Sequence, residues 1–296
     1  MYNQISINKR RTFYMFAIFA LLIIGLGWAL SYMFNDQSIL FIAVIISIIQ
    51  SWVSYYYSDK IALMATGAKE PDRQKFLELH RLVENIAIAG GLPKPKIYVI
   101  NDPSPNAFAT GRDPKHASVA VTTGLLEVLD KTELEGVMAH EMAHVGNRDI
   151  LVMTVAVTLV GIVVLISDIA FRANFWKNND NSDSKAGGAL MIVALVLVLL
   201  SPLFAQLIQL AVSRKREYMA DATGSLLTRY PEGLARALEK IEKYERPMHS
   251  ANRATAHLFI NEPFGREEPK KHNWFSTVFS THPPIPDRVK KLRQMA

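Results

Sequence analysis

His140, Glu141 and His144 stand in the run "GVMAHEMAHVGNRD", residues 136 to 149. Two histidines four apart on a helix project from one face about a turn apart, so both imidazoles can reach one zinc ion at about 2.0 to 2.1 Å. Glu141 points to the flank of that face, where it can take a proton from a zinc-activated water. Zinc lowers the pKa of such a water to about 7, so hydrolysis at neutral pH needs no serine or cysteine nucleophile. The motif is short and also occurs in unrelated helices, so other residues have to support it. A catalytic zinc needs a third protein ligand and an open position. Glu217 is the candidate, because Glu217 and Asp221 form an E-x-x-x-D pair in "REYMADATG". One of these carboxylates can bind metal while the other supports a histidine from behind. Taken alone, the same stretch reads as a solvated helix face.

The elements that carry these residues are set in an apolar chain. Half of the 296 residues are hydrophobic, and they gather into four blocks without a charged residue: Thr12 to Phe34, Ser38 to Tyr57, Ile150 to Ser167 and Ala186 to Ser213. Each is near or above the roughly 18 to 20 residues that cross a bilayer as a helix. Four transmembrane spans are expected, at about 12–34, 38–57, 150–170 and 186–213. The first is too long for the apolar part of a signal peptide, and a second block follows at once. Lys9, Arg10 and Arg11, then Lys60, Lys69, Arg73 and Lys75, then Arg214, Lys215 and Arg216 place the polar regions inside. Arg172, Lys177 and Lys185 between the last two blocks weaken that signal without reversing it. The net charge of +6 reflects these flanks and does not point to nucleic acid. The absence of cysteine excludes disulfides, thiol catalysis and cysteine zinc sites. The spans carry almost no ionisable groups, which argues against a transporter.

Residues 1–58 then form a transmembrane hairpin, and residues 59–149 and 214–296 two halves of one catalytic domain separated by the second pair of spans. Two spans between His144 and Glu217 bring both out on the same side of the membrane, as shared coordination demands. A helix from Phe76 through Ile86 stops at Gly90-Gly91-Leu92-Pro93, and "KIYVI" (96–100) and "ASVAVTT" (117–123) read as strands. Thr132 and Glu135 form a capping box that starts the histidine helix, and no proline interrupts it before the third apolar block. That helix is therefore expected to run straight into the bilayer. Helical patterns follow at 217–230 and 233–244, a short strand at 256–260, and a last helix at 287–296.

These stretches also resemble a known family. "AHEMAHVGNRD", two spans and then "REYMADATG" are similar to the HtpX-type membrane zinc metalloproteases, relatives of the CAAX prenyl proteases. "SPNAFATG" (104–111), "VAVTTGLL" (119–126), "ATAHLFI" (254–260) and "STHPPIPDR" (280–288) extend the likeness over nearly the whole chain. The resemblance implies a mainly α integral membrane protein, with four transmembrane helices and a zincin-like α+β catalytic domain containing a small sheet. It makes His140, His144 and Glu217 the ligands of one Zn2+ per chain, Glu141 the general base, and His282 with Arg288 the group that stabilises the oxyanion. Asp221 is expected behind a ligand histidine. Asn106 and Ala107, with Val119 and Val121, resemble a cleft edge where an extended substrate adds as a strand; without the family a plain hairpin is the preferred reading. The activity implied is zinc-dependent endoproteolysis of membrane proteins, especially misfolded or damaged ones, at the cytoplasmic face of the plasma membrane, a stress-response and quality-control task. The expected partners are those substrates and the lipid bilayer, with no nucleic acid. The alternatives are a processing protease of the CAAX type and a non-catalytic membrane quality-control adaptor; an intact Glu141 disfavours the second.

Overall fold

The structure, a computed structural model, describes residues 2–159, 214–244, 246–250, 255–264 and 283–295. The expected fourth span, most of the third and His282 lie outside the described residues. The described chain is mostly helical, with one small mixed sheet.

Helices α1 (Tyr2–Phe34) and α2 (Ser38–Ala65) pack as an antiparallel hairpin. Both are long and apolar enough to cross a membrane, as expected for the first two spans. Asn35 turns the chain with a left-handed φ of 50°, a conformation asparagine tolerates. The Asp36 carboxylate then accepts the Ser38 amide at 2.9 Å and starts α2. Helix α3 (Leu77–Ala89) buries Leu79, Leu82, Val83 and Ile86 at helical spacing and stops at Gly90-Gly91, Gly91 having a φ of 61°.

Strands β1 (Lys96–Ile100), β2 (Ala107–Gly111) and β3 (Ala117–Thr122) form a sheet in the order β1-β3-β2. The pair β1 and β3 is parallel and β2 runs antiparallel to β3, so "NAFATG" and "SVAVTT" are indeed the two arms of a hairpin. Every residue of β2 and β3 is buried, because both faces of the sheet are covered. Ile97, Ala107, Ala109, Val119 and Val121 point to one core, shared with helices of the catalytic region. The alternate residues Ile100, Phe108 and Ala120 point to another, shared with Ala62 and Leu63 at the end of α2 and with Met153 and Val157.

After a short helix α4 (Thr123–Val128), the histidine helix α5 runs from Lys131 to Asn147. Its capping box uses Asp130 and Glu133, two residues earlier than the expected Thr132 and Glu135. Aspartate caps as well as threonine does, and Thr132 instead donates its hydroxyl to Asp130 at 2.7 Å. The helix does not continue into the third span. Arg148 takes a left-handed φ of 57° and ends it, and a separate apolar helix α6 starts at Asp149 and is described to Leu159. Gly146 and Asn147, the weak helix formers of this stretch, stay in the helix, and it is the next residue, an arginine, that leaves it. The face of α6 formed by Val152, Val155, Ala156 and Leu159 packs on Met15 and Phe19 of α1.

Helices α7 (Arg214–Thr228), α8 (Pro231–Glu242) and α9 (Ile285–Arg293) complete the bundle around α5. The stretch expected as a strand at 256–260 is instead a 3-10 turn, Ala256–Leu258, followed by extended chain. It still joins the sheet locally, since the Ile260 amide donates to the Ala107 carbonyl at 3.0 Å.

Close helix approach depends on two glycines of the bundle. A Cβ on Gly136 of α5 would lie 2.6 Å from the backbone nitrogen of Leu234 in α8, and one on Gly224 of α7 would lie 2.9 Å from that of His140. Gly136→Ala is therefore expected to destabilise the protein by roughly 1 to 3 kcal/mol, the usual cost of overpacking. A thermal unfolding midpoint equal to wild type would show that the two helices can separate freely.

Candidate metal centre

The middle of α5 presents His140 and His144, and the first turns of α7 present Glu217 and Asp221 against them. The His140 and His144 Nε2 atoms stand 3.2 Å apart. Glu217 closes the triangle, with one carboxylate oxygen 3.7 Å from His140 Nε2 and the other 3.5 Å from His144 Nε2. Ligand atoms around a tetrahedral zinc with bonds of 2.0 to 2.1 Å stand about 3.4 Å apart, so this triangle has the size such an ion requires. Among the described residues these three form the one cluster of histidine, cysteine and carboxylate groups able to hold a metal.

Charge supports the same fit. Glu141, Asp149, Glu217 and Asp221 are all buried here, against the guanidiniums of Arg216 and Arg288. With His144 neutral, as a ligand must be, four carboxylates facing two cations leave two negative charges removed from bulk water, which a divalent cation would neutralise. Glu141 lies close enough for its charge to act on His144 and on Arg288.

The outer nitrogens of both histidines are held by carboxylates, which directs the Nε2 lone pairs inward. His140 Nδ1 lies 2.9 Å from Asp221 Oδ1, as expected for Asp221. Arg288 grips Asp221 in turn, donating Nε to Oδ2 at 2.9 Å and Nη2 to Oδ1 at 2.6 Å. Burial raises the Asp221 pKa, but the Arg288 charge, the hydrogen bond and charge of His140 and the hydrogen bonds from Arg288 together outweigh it and bring the group down to about 2. The third guanidinium nitrogen, Arg288 Nη1, has no hydrogen-bond partner among the described residues and lies 3.8 Å from Glu217.

His144 Nδ1 is held by a residue that sequence reasoning gave no role: Asp149, whose Oδ2 lies 3.2 Å away. Asp149 in turn accepts Asn8 Nδ2 of α1 at 2.7 Å and faces Arg216 Nη1 at 3.7 Å. Asp149 belongs to "VGNRD" right after the histidine motif, but its role depends on the chain break at Arg148, which turns it back toward His144. Asn8 carries no sequence signal, lying in a helix remote from the site.

Asn106 and Ala107 stand at the start of β2, where Ile260 and Asn261 already occupy the outer edge. The Asn106 side chain donates to the Asn261 carbonyl at 3.0 Å. Val119 and Val121 lie on the central strand, paired on both sides and with side chains in the core, so no free edge exists there for an added strand. His257 is buried, its Nε2 3.4 Å from the Met153 carbonyl, and His80 and His116 stand on α3 and beside β3, apart from the metal triangle.

The sequence signature of peptidase family M48 matches residues 73–296. The chain belongs to that family. It is 45% identical over 302 residues to a protease HtpX homolog of Caldanaerobacter subterraneus subsp. tengcongensis, covering all of this chain and 98% of that protein. A protease HtpX homolog of Tropheryma whipplei strain Twist is 45% identical over 295 residues, with the same coverage, and one of Streptococcus uberis is 39% identical over the full length of both. Among solved structures, Ste24p of S. mikatae has a similar fold, with a TM-score of 0.50 at 18% identity, covering 99% of this chain and 67% of that one. As a member of family M48 with protease relatives along its whole length, the chain is a metallopeptidase, and its apolar helices mark it as a membrane protein.

Two tests follow from the geometry. Asp149→Ala should weaken metal binding about 10- to 100-fold, as loss of a ligand's outer partner does; competition with a chromogenic chelator measures it, and unchanged affinity would mean that α5 alone orients His144. Burial lowers the His144 pKa, but the hydrogen bond to Asp149 and the charges of Glu217 and Asp149 outweigh it and raise it to about 9 in the metal-free protein. A metal must displace that proton, so affinity should rise with pH up to about 9, by at most about tenfold per unit. Calorimetry in buffers of different protonation enthalpy should detect about one proton released per chain at neutral pH; no release would show His144 already neutral.

Proposed function

We propose that the protein is a zinc-dependent endopeptidase that cleaves membrane proteins, chiefly misfolded or damaged ones, on the cytoplasmic side. The observation that carries this reading is the triangle of His140, His144 and Glu217 with Glu141 buried beside it, at the base of two membrane-length helices. Zinc, when bound there, supplies Lewis acidity that activates water and polarises the scissile carbonyl. Glu141 takes the proton from the attacking water and returns it to the leaving amine. Asp221 and Asp149 keep each histidine in the tautomer whose Nε2 is free to ligate. Arg288 holds Asp221 through Nε and Nη2 and so positions His140, while its Nη1, without a hydrogen-bond partner among the described residues, is left to act with His282 on the oxyanion. An extended substrate pairs with the start of β2 at Asn106 and Ala107 by taking the place of the extended chain at Ile260 and Asn261. The basic flanks of the apolar blocks support the cytoplasmic orientation.

Glu141→Gln should keep metal content and unfolding midpoint while lowering cleavage of a membrane-protein substrate by roughly 100- to 10,000-fold, the usual worth of a general base. Retained activity in a metal-loaded variant would remove Glu141 from the mechanism.

A further inference from the structure

A cleft of about 480 Å3 opens away from the metal centre, where the far end of α2 meets the start of β1 and β3 and the turn between β2 and β3. Five cationic side chains line it, those of Lys60, Lys94, Lys96, Arg112 and Lys115, with Asp59 the acidic residue among its walls. Two of the five are committed elsewhere. Lys94 pairs with Glu84 at 2.6 Å, and Arg112 faces Asp113 at 3.5 Å and His116 at 2.8 Å. Lys60, Lys96 and Lys115 are exposed and have no carboxylate partner among the described residues. Three free ammonium groups against Asp59 leave a surplus of about two positive charges in a concave site.

The wall formed by α2 is also aromatic. Trp52, Tyr56 and Tyr57 line the cleft, with Lys60 Nζ 5.1 Å from the Tyr57 ring centre and Arg112 5.2 Å from that of Tyr56. Tyr57 lies twenty residues beyond the hairpin turn at Gln37, which is about 30 Å of helix at 1.5 Å per residue. That equals the thickness of the hydrocarbon core, so the aromatic wall falls at the membrane–water interface and the lysines just beyond it, at headgroup depth.

We propose that this cleft binds the phosphate of an anionic phospholipid in the leaflet on the catalytic side. Phosphate is recognised by the lysines, and the aromatic wall holds the glycerol and upper acyl region. The inference rests on α2 crossing the bilayer and is independent of the peptidase chemistry. A bound headgroup would bridge α2 to β1 and β3 and fix the depth of the sheet against the membrane. A soluble phosphate shares the charge chemistry but has no use for the aromatic wall.

The test uses the full chain in phosphatidylcholine nanodiscs, with phosphatidylglycerol titrated in and retained lipid counted by native mass spectrometry. Lys60→Gln/Lys96→Gln/Lys115→Gln should bind phosphatidylglycerol at least tenfold more weakly, each lysine near an anionic surface being worth about fivefold. Its metal content and its unfolding midpoint in pure phosphatidylcholine should match wild type, because all three side chains are exposed. Equal retention by this variant and wild type would overturn the proposal. So would an equal loss in Lys131→Gln/Lys243→Gln/Lys290→Gln, which removes the same charge from exposed positions outside the cleft. Competition by inorganic phosphate or glycerol 3-phosphate at the same concentration as the lipid would assign the cleft to a soluble phosphate and overturn the lipid reading.

Discussion

The site depends on two hydrogen bonds between a buried carboxylate and the outer nitrogen of a histidine, Asp221 to His140 and Asp149 to His144. A metal ligand must present a lone pair in a fixed direction, and an imidazole on a helix can swing about two bonds unless something holds its far side. Those holders are charged and buried, so they need partners of their own. Arg288 on α9 answers Asp221, while Asn8 on α1 and Arg216 on α7 answer Asp149. The metal triangle thus recruits helices from both ends of the chain, and the fold around α5 can be understood as the way to bring them together.

The sheet does a different job. With both faces buried, it is shared between a core built from α3, α5, α8 and α9 and a core built from the ends of α2 and α6. A solvent-facing sheet would show alternation of polar and apolar residues, and β3 reads Ala-Ser-Val-Ala-Val-Thr because neither face meets water. The catalytic region is therefore seated on the membrane hairpin through the sheet. Arg148 interrupts the backbone between α5 and α6, so packing and hydrogen bonds set the position of the site where a continuous helix was expected to do so.

What could be read from sequence followed local chemistry. The i, i+4 spacing of His140 and His144, and of Glu217 and Asp221, specifies a helix face whatever the tertiary context, and the structure brings the two faces together as the expected topology required. Strands β1 and β3 were visible as runs of branched residues, α3 and α7 as helical patterns ended by glycine or proline, and α8 and α9 as helical patterns without such a stop. The misses share a cause. The start of α5 offered two good capping sequences two residues apart, the break falls on an arginine after Gly146 and Asn147 have stayed helical, and the stretch at 256–260 pairs with the sheet through a single carbonyl of Ala107. Asp149 and Asn8 act only through contacts made across more than a hundred residues or through that break.

Asn8 sets a boundary that the domain signature does not. The family match begins at residue 73, yet the shortest contact of Asp149, at 2.7 Å, comes from a residue 65 positions before it. A fragment excised at that boundary would keep His140, His144, Glu217 and Glu141, and would lose the amide that steadies His144 from behind. The metal site thus reaches beyond the peptidase signature: the first helix supplies a side chain to the chain of contacts that holds His144 in place.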